Sequence, residues 1–81
     1  MLTPKTVALT SGIWCDMGAQ CNNLGITQPE WSYIVDCHDE RVQYGQYACD
    51  LERRLDQLGI TGGDRYDILR CNQMSMEHVG Y

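Results

Sequence analysis

Residues 21–37 read CNNLGITQPEWSYIVDC and residues 55–71 read LDQLGITGGDRYDILRC, so LGIT occurs twice, 34 positions apart. The match runs outward from there. Cys15-Asp16-Met17 aligns with Cys49-Asp50-Leu51, Glu30 with Asp64, Ile34-Val35 with Ile68-Leu69, and Cys37 with Cys71. A chain of 81 residues that writes one pattern twice is constrained to build two similar units, residues 15–37 and 49–71.

The shared pattern is helix punctuation. Met17, Cys21 and Leu24 form one apolar stripe, and Leu51, Leu55 and Leu58 form the other, at spacings of four and three. Gly25 and Gly59 follow where a helix end needs positive φ. Thr27 with Glu30, and Thr61 with Asp64, fit a Thr-x-x-acid start for the next helix. Ile26 is placed to staple onto Trp31, and Pro29 falls in a first turn, where its missing N–H costs little. The spacing therefore predicts a small, compact all-α domain over 1–81 with two helix-corner-helix units. A first helix over Pro4–Leu24 is expected, weakened by Gly12 and Gly18, and Ser75–Tyr81 is expected to be a loose tail. The alternation of Val7, Leu9, Ser11 and Ile13 also permits a strand. With a hairpin over 31–44, a helix over 47–58 and a strand over 65–71, an α+β fold of ββαβ type is the alternative.

So short a chain supports one small core, helped by a partner or a possible homodimer. It carries 11 Asp and Glu against 6 Lys and Arg. Residues 1–40 set Lys5 alone against Asp16, Glu30, Asp36, Asp39 and Glu40, a net of −4, whereas residues 41–81 set five Arg against six acids. No apolar run reaches a membrane span, and no charged-then-apolar leader is seen. Five cysteines, an odd count without close pairs, point to a reducing cytosol, free thiols and a cytoplasmic protein. Four of the five flank the apolar stripes at equivalent positions and are expected as small core residues. Cys37-His38 with Cys15, Cys21 and Cys49 lacks the spacing of a zinc site. Adjacent Cys37 and His38 diverge too far to form a nucleophile and its base. Gly62-Gly63 lacks the strand and Lys of a phosphate loop. Neither an enzyme nor a metal or other cofactor is expected.

The stretch LGITQPEWSYIVDCHDERV, Leu24–Val42, resembles the helix-turn-helix of phage-repressor and Cro-like regulators. That resemblance implies a first helix over Gln28–Val35 with Trp31, Ile34 and Val35 inside, a turn at Asp36-Cys37-His38, and a second helix over Asp39–Tyr47 anchored by Val42. It also implies DNA contacts from Gln28, Arg41 and Gln43. Asp36 stands where the family usually has Gly, and Asp39 and Glu40 open the helix that would enter the major groove. Two carboxylates there repel phosphate, and a DNA reader gains affinity from a basic face.

LDQLGITGGDRYDILRC is in turn similar to the last-helix segment of sterile-alpha-motif domains, small bundles that mostly bind proteins. In size, acidity and lack of catalytic motif the chain is also similar, as a class, to small phage inhibitors of bacterial defence such as anti-CRISPR proteins. The leading expectation is a protein-binding module that occupies a basic, nucleic-acid-binding surface of a partner. Asp36, Asp39, Glu40, Tyr44 and Tyr47 are its candidate binding residues, because Tyr is rich at interface hot spots and acids steer onto basic surfaces. A DNA-binding regulator is the alternative.

Overall fold

The computed structural model describes residues 15–80. It contains four helices: α1 Met17–Asn23, α2 Glu30–Tyr44, α3 Leu51–Leu58 and α4 Gly62–His78. The fold is all-α, and among the described residues no strand forms, so the hairpin over 31–44 and the strand over 65–71 are replaced by α2 and α4. The expectations for residues 1–14, a helix from Pro4 or a strand through Val7–Ile13, lie outside the described residues. The helix ending near Leu24 begins only at Met17, because Asp16 is extended at ψ 103°.

Both corners are helix stops of one design. Gly25 and Gly59 take φ of 78° and 75°, where a Cβ would be strained. The N–H of Ile26 then reaches back to the Cys21 carbonyl, and that of Ile60 to the Leu55 carbonyl, each at 3.0 Å. This six-to-one closure satisfies a carbonyl that the helix end leaves open.

The helix starts differ from expectation. Asp16 and Asp50 are the side-chain caps, accepting from the Ala19 and Arg53 amides at 3.2 and 3.1 Å. Thr61 occupies the cap position of α4 without a side-chain cap, and α2 is preceded by Pro29 rather than Thr27. The Thr27 hydroxyl instead donates to the Glu30 carboxylate at 3.1 Å. Asp ranks above Thr as a cap, and it opens each unit directly after its cysteine.

The equivalent stripes meet in one core. Met17, Cys21 and Ile34 from the first unit pack with Leu51, Leu55 and Ile68 from the second. The long helices α2 and α4 pack together at the centre; α1 lies against α2 and α4, and α3 lies against the same two. Trp31 closes over α1: its indole N–H donates to the Gly18 carbonyl at 3.0 Å. A Cβ on Gly18 would stand 3.2 Å from the Trp31 ring, so this glycine leaves room for the indole against α1. In the second unit the equivalent residue, Arg65, donates to the Glu52 carbonyl, 34 residues on from Gly18.

Two disulfides lock this arrangement, Cys15–Cys71 and Cys37–Cys49. The expectation of four free core thiols is thereby corrected. Each bridge joins the first cysteine of one unit to the last cysteine of the other, so exchanging the units maps one bridge onto the other. Even the neighbouring polar contacts correspond. Ser75 donates to the Cys15 carbonyl at 2.9 Å, and its equivalent Arg41 donates to the Cys49 carbonyl at 3.0 Å. Cys21 alone is unpaired; burial pushes its thiol up to about 11. The expected tail is also corrected: α4 continues to His78, with Ser75 and Met76 buried.

Candidate functional site

Helix α2 runs without interruption through Asp36, Cys37 and His38, so the turn implied by the repressor resemblance is absent. The physical reason is periodicity. Ile34, Cys37, His38 and Arg41 recur at three- and four-residue steps along one side, and Ile34, Cys37 and His38 are buried. Breaking the helix at Asp36 would remove that face from the core.

The opposite side of α2 is the candidate site. Tyr33, Asp36, Asp39, Glu40, Gln43 and Tyr44 are all exposed, and their spacing places them on one face. Asp39 and Glu40 lie toward the helix C-terminus, where negative charge opposes the helix dipole. Among the described residues none of the three carboxylates has an ion-pair partner.

Beyond the face, Gly45 ends α2 at φ 108° and the chain turns through Gln46 and Tyr47. The Ala48 N–H closes this turn on the Gly45 carbonyl at 3.1 Å. Tyr47, 93% exposed, is carried at the tip. Two devices hold the turn against α2: the Cys37–Cys49 bridge and the Arg41 guanidinium. Nη1 of Arg41 donates to the Gln46 and Cys49 carbonyls at 3.1 and 3.0 Å, and Nε donates to Asn72 Oδ1 at 2.9 Å. A cleft of about 560 Å³ opens behind the turn, lined among others by Tyr47, Glu52, Leu69 and Gln73.

The candidate binding residues Asp36, Asp39, Glu40 and Tyr44 therefore share one face, with Tyr47 on the following turn. The DNA candidates do not converge. Gln28 precedes α2, Gln43 lies near its far end, about 20 Å away at 1.5 Å per residue, and Arg41 points inward to hold the turn. Its guanidinium is engaged with Asn72, Gln46 and Cys49 in this structure.

Tyr33 and Arg54 were not anticipated. Arg54 packs over the Tyr33 ring at 5.9 Å and donates to the Tyr33 carbonyl at 3.1 Å, placing one cation at the edge of the acidic face. Tyr33 lies three residues before Asp36, and that spacing was the available signal.

Four sulfurs are consumed by the two bridges, and among the described residues no group of three or more His, Cys, Asp or Glu converges as a metal cage. No helix among them is long and apolar enough to cross a membrane. Compared with protein-family models, characterised proteins and solved structures, the chain gives no match.

Proposed function

We propose that this chain is a small acidic protein-binding module whose α2 face, with the Tyr47 turn beside it, occupies a basic surface on a partner protein and so blocks or regulates that surface. The carrying observation is the exposed set Asp36, Asp39 and Glu40, without ion pairs among the described residues and flanked by Tyr33, Tyr44 and Tyr47. Carboxylates left open together on a rigid helix steer a cationic partner and speed its encounter. Tyrosines supply contact area at low entropic cost. A surface built to bind nucleic acid carries a basic patch, opposite in charge to this face.

The DNA-binding alternative draws little support from this geometry. A face with three carboxylates repels phosphate, and the arginine that should offset them is committed to the Tyr47 turn. The crosslinks also bear on setting. Disulfides persist in oxidising compartments, and a reducing cytosol would keep these cysteines as thiols. The cytoplasmic placement that rested on free thiols loses that support, and with it the link to phage inhibitors acting on bacterial defence inside the cell. The binding mode itself does not depend on either.

The test is affinity capture with the disulfide-bonded protein as bait, beside a D36K/D39K/E40K variant, with nuclease-treated and untreated arms. The wild type should retain a basic protein in both arms and the variant should not. Capture that disappears with nuclease, or that survives charge reversal, contradicts the reading.

A further inference from the structure

A buried polar relay runs beneath the same face. Asn72 Oδ1 accepts from Arg41 Nε at 2.9 Å, while Asn72 Nδ2 lies 2.9 Å from His38 Nδ1. A guanidinium has donors only, so the amide must turn its oxygen toward Arg41 and its NH2 toward His38. Nδ1 must then be the acceptor, which leaves His38 neutral with its proton on Nε2. His38 and Asn72 are each 2% exposed, and water is kept from replacing a lost contact. The relay ends on the carbonyls of Gln46 and Cys49, which bracket Tyr47.

We propose that His38, Asn72 and Arg41 form an acid-sensitive latch on residues 45–50, in which a proton taken up at Nδ1 of His38 loosens Arg41's hold on the Tyr47 turn. A protonated Nδ1 faces the Asn72 NH2, donor against donor. Rotating the amide to accept from His38 turns its NH2 onto Arg41 Nε, again donor against donor. Either arrangement leaves a buried donor unsatisfied, and Arg41 is the member that can swing outward with its charge. Among the described residues the charged groups facing His38 are Asp39 and Arg41 on α2 and Asp16 at the start of α1. The two carboxylates favour the imidazolium, whereas burial and Arg41 oppose it; burial dominates and the pKa is lowered. The latch is closed at neutral pH and opens in acid. That the turn belongs to a binding face rests on the function proposed above; the latch itself does not.

The decisive experiment uses the free, disulfide-bonded protein and no partner, so its outcome is independent of whether the α2 face binds anything. Ring nitrogen chemical shifts of His38 and hydrogen exchange of the 45–50 amides are followed from about pH 7.5 to about pH 5, corrected for intrinsic exchange. His38→Asn is the comparison, because its side-chain oxygen can accept from Asn72 without titrating. In the wild type Nδ1 should be unprotonated at neutral pH. As it titrates, exchange in the turn should rise on the order of tenfold relative to α3, the weight of one buried hydrogen bond, while His38→Asn stays flat. A protonated Nδ1 at neutral pH, a turn that does not respond as His38 titrates, or an equal response in His38→Asn overturns the proposal. Should His38→Asn not fold, the wild type decides alone: a shared midpoint for the ring and the turn amides supports the latch, and separate midpoints refute it.

Discussion

Asn72 meets His38 at 2.9 Å, and the two residues hold the same place in the two halves of the chain, 34 positions apart. Equivalent residues touch only near the axis that relates the halves, so this pair marks the centre of the duplicated fold. Around it the crosslinks, the caps and the glycine stops are arranged in matching pairs. The outer faces have diverged: Asp36 and Glu40 on α2 correspond to Arg70 and Met74 on α4.

The crosslinks should be Cys15–Cys71 and Cys37–Cys49, with Cys21 resistant to alkylation until the protein unfolds. Peptide mapping of the unreduced protein checks this. In the chain-entropy picture the bridge spanning 56 residues contributes about 4 kcal/mol and the one spanning 12 about 3 kcal/mol. Replacing either pair by Ser should lower the denaturant midpoint in that order. A bridge within one unit, such as Cys15–Cys37, would refute the interlocked arrangement.

Gly18→Ala should destabilise by about 1–3 kcal/mol, since the new methyl meets the Trp31 ring and neither helix can withdraw without opening the core. Gly63→Ala, with open space around its Cβ, should gain about 0.5 kcal/mol through a less flexible unfolded chain. Chemical denaturation of both variants tests the contrast.

Asp16→Ala and Asp50→Ala should each cost about 1 kcal/mol by removing a helix cap. Thr27→Ala and Thr61→Ala should stay within about 0.5 kcal/mol. Comparable losses at the threonines would reassign the caps.

His38 has a folded pKa below its ordinary value, so the folded state binds the proton less readily than the unfolded chain. Its contribution to stability is complete above the ordinary histidine pKa of about 6.5 and is lost as pH falls from there toward the lowered folded value. The wild type should lose stability over that window relative to His38→Asn, which also subtracts His78 and the carboxylates. Equal pH dependence in the two proteins would contradict the buried, neutral assignment.

Much of this architecture was legible in the repeat. Gly25 and Gly59 read as helix stops because positive φ leaves few alternatives, and the stripes through Met17 and Leu51 read as core because helical spacing leaves no other face for them. The cysteine pairing was not legible, because it depends on how the two halves cross, which no local spacing encodes. Extending the 34-residue register by one position, from Cys37 and Cys71 to His38 and Asn72, would have brought the central pair into view. The turn expected at Asp36 does not form because the continuous period of Ile34, Cys37, His38 and Arg41 outweighs the local corner grammar. Arg41 looked like a base reader for the same reason: on an uninterrupted α2 it belongs to the inward side. The acidic face survived this change because Asp36, Asp39 and Glu40 share a side of the helix under continuous spacing.

The most direct test of the α2 face is site-specific photo-crosslinking from position 44, with position 70 on α4 as the comparison. Both native residues are exposed, so neither probe disturbs the core. Probe at Tyr44 should crosslink a basic protein, with a yield that falls as salt shortens the Debye length below about 10 Å. Excess wild type should abolish that crosslink and excess D36K/D39K/E40K should not, while the probe at Arg70 should give none. A crosslink at position 70 with none at 44, or equal competition by the charge-reversed variant, would contradict the assignment of the α2 face.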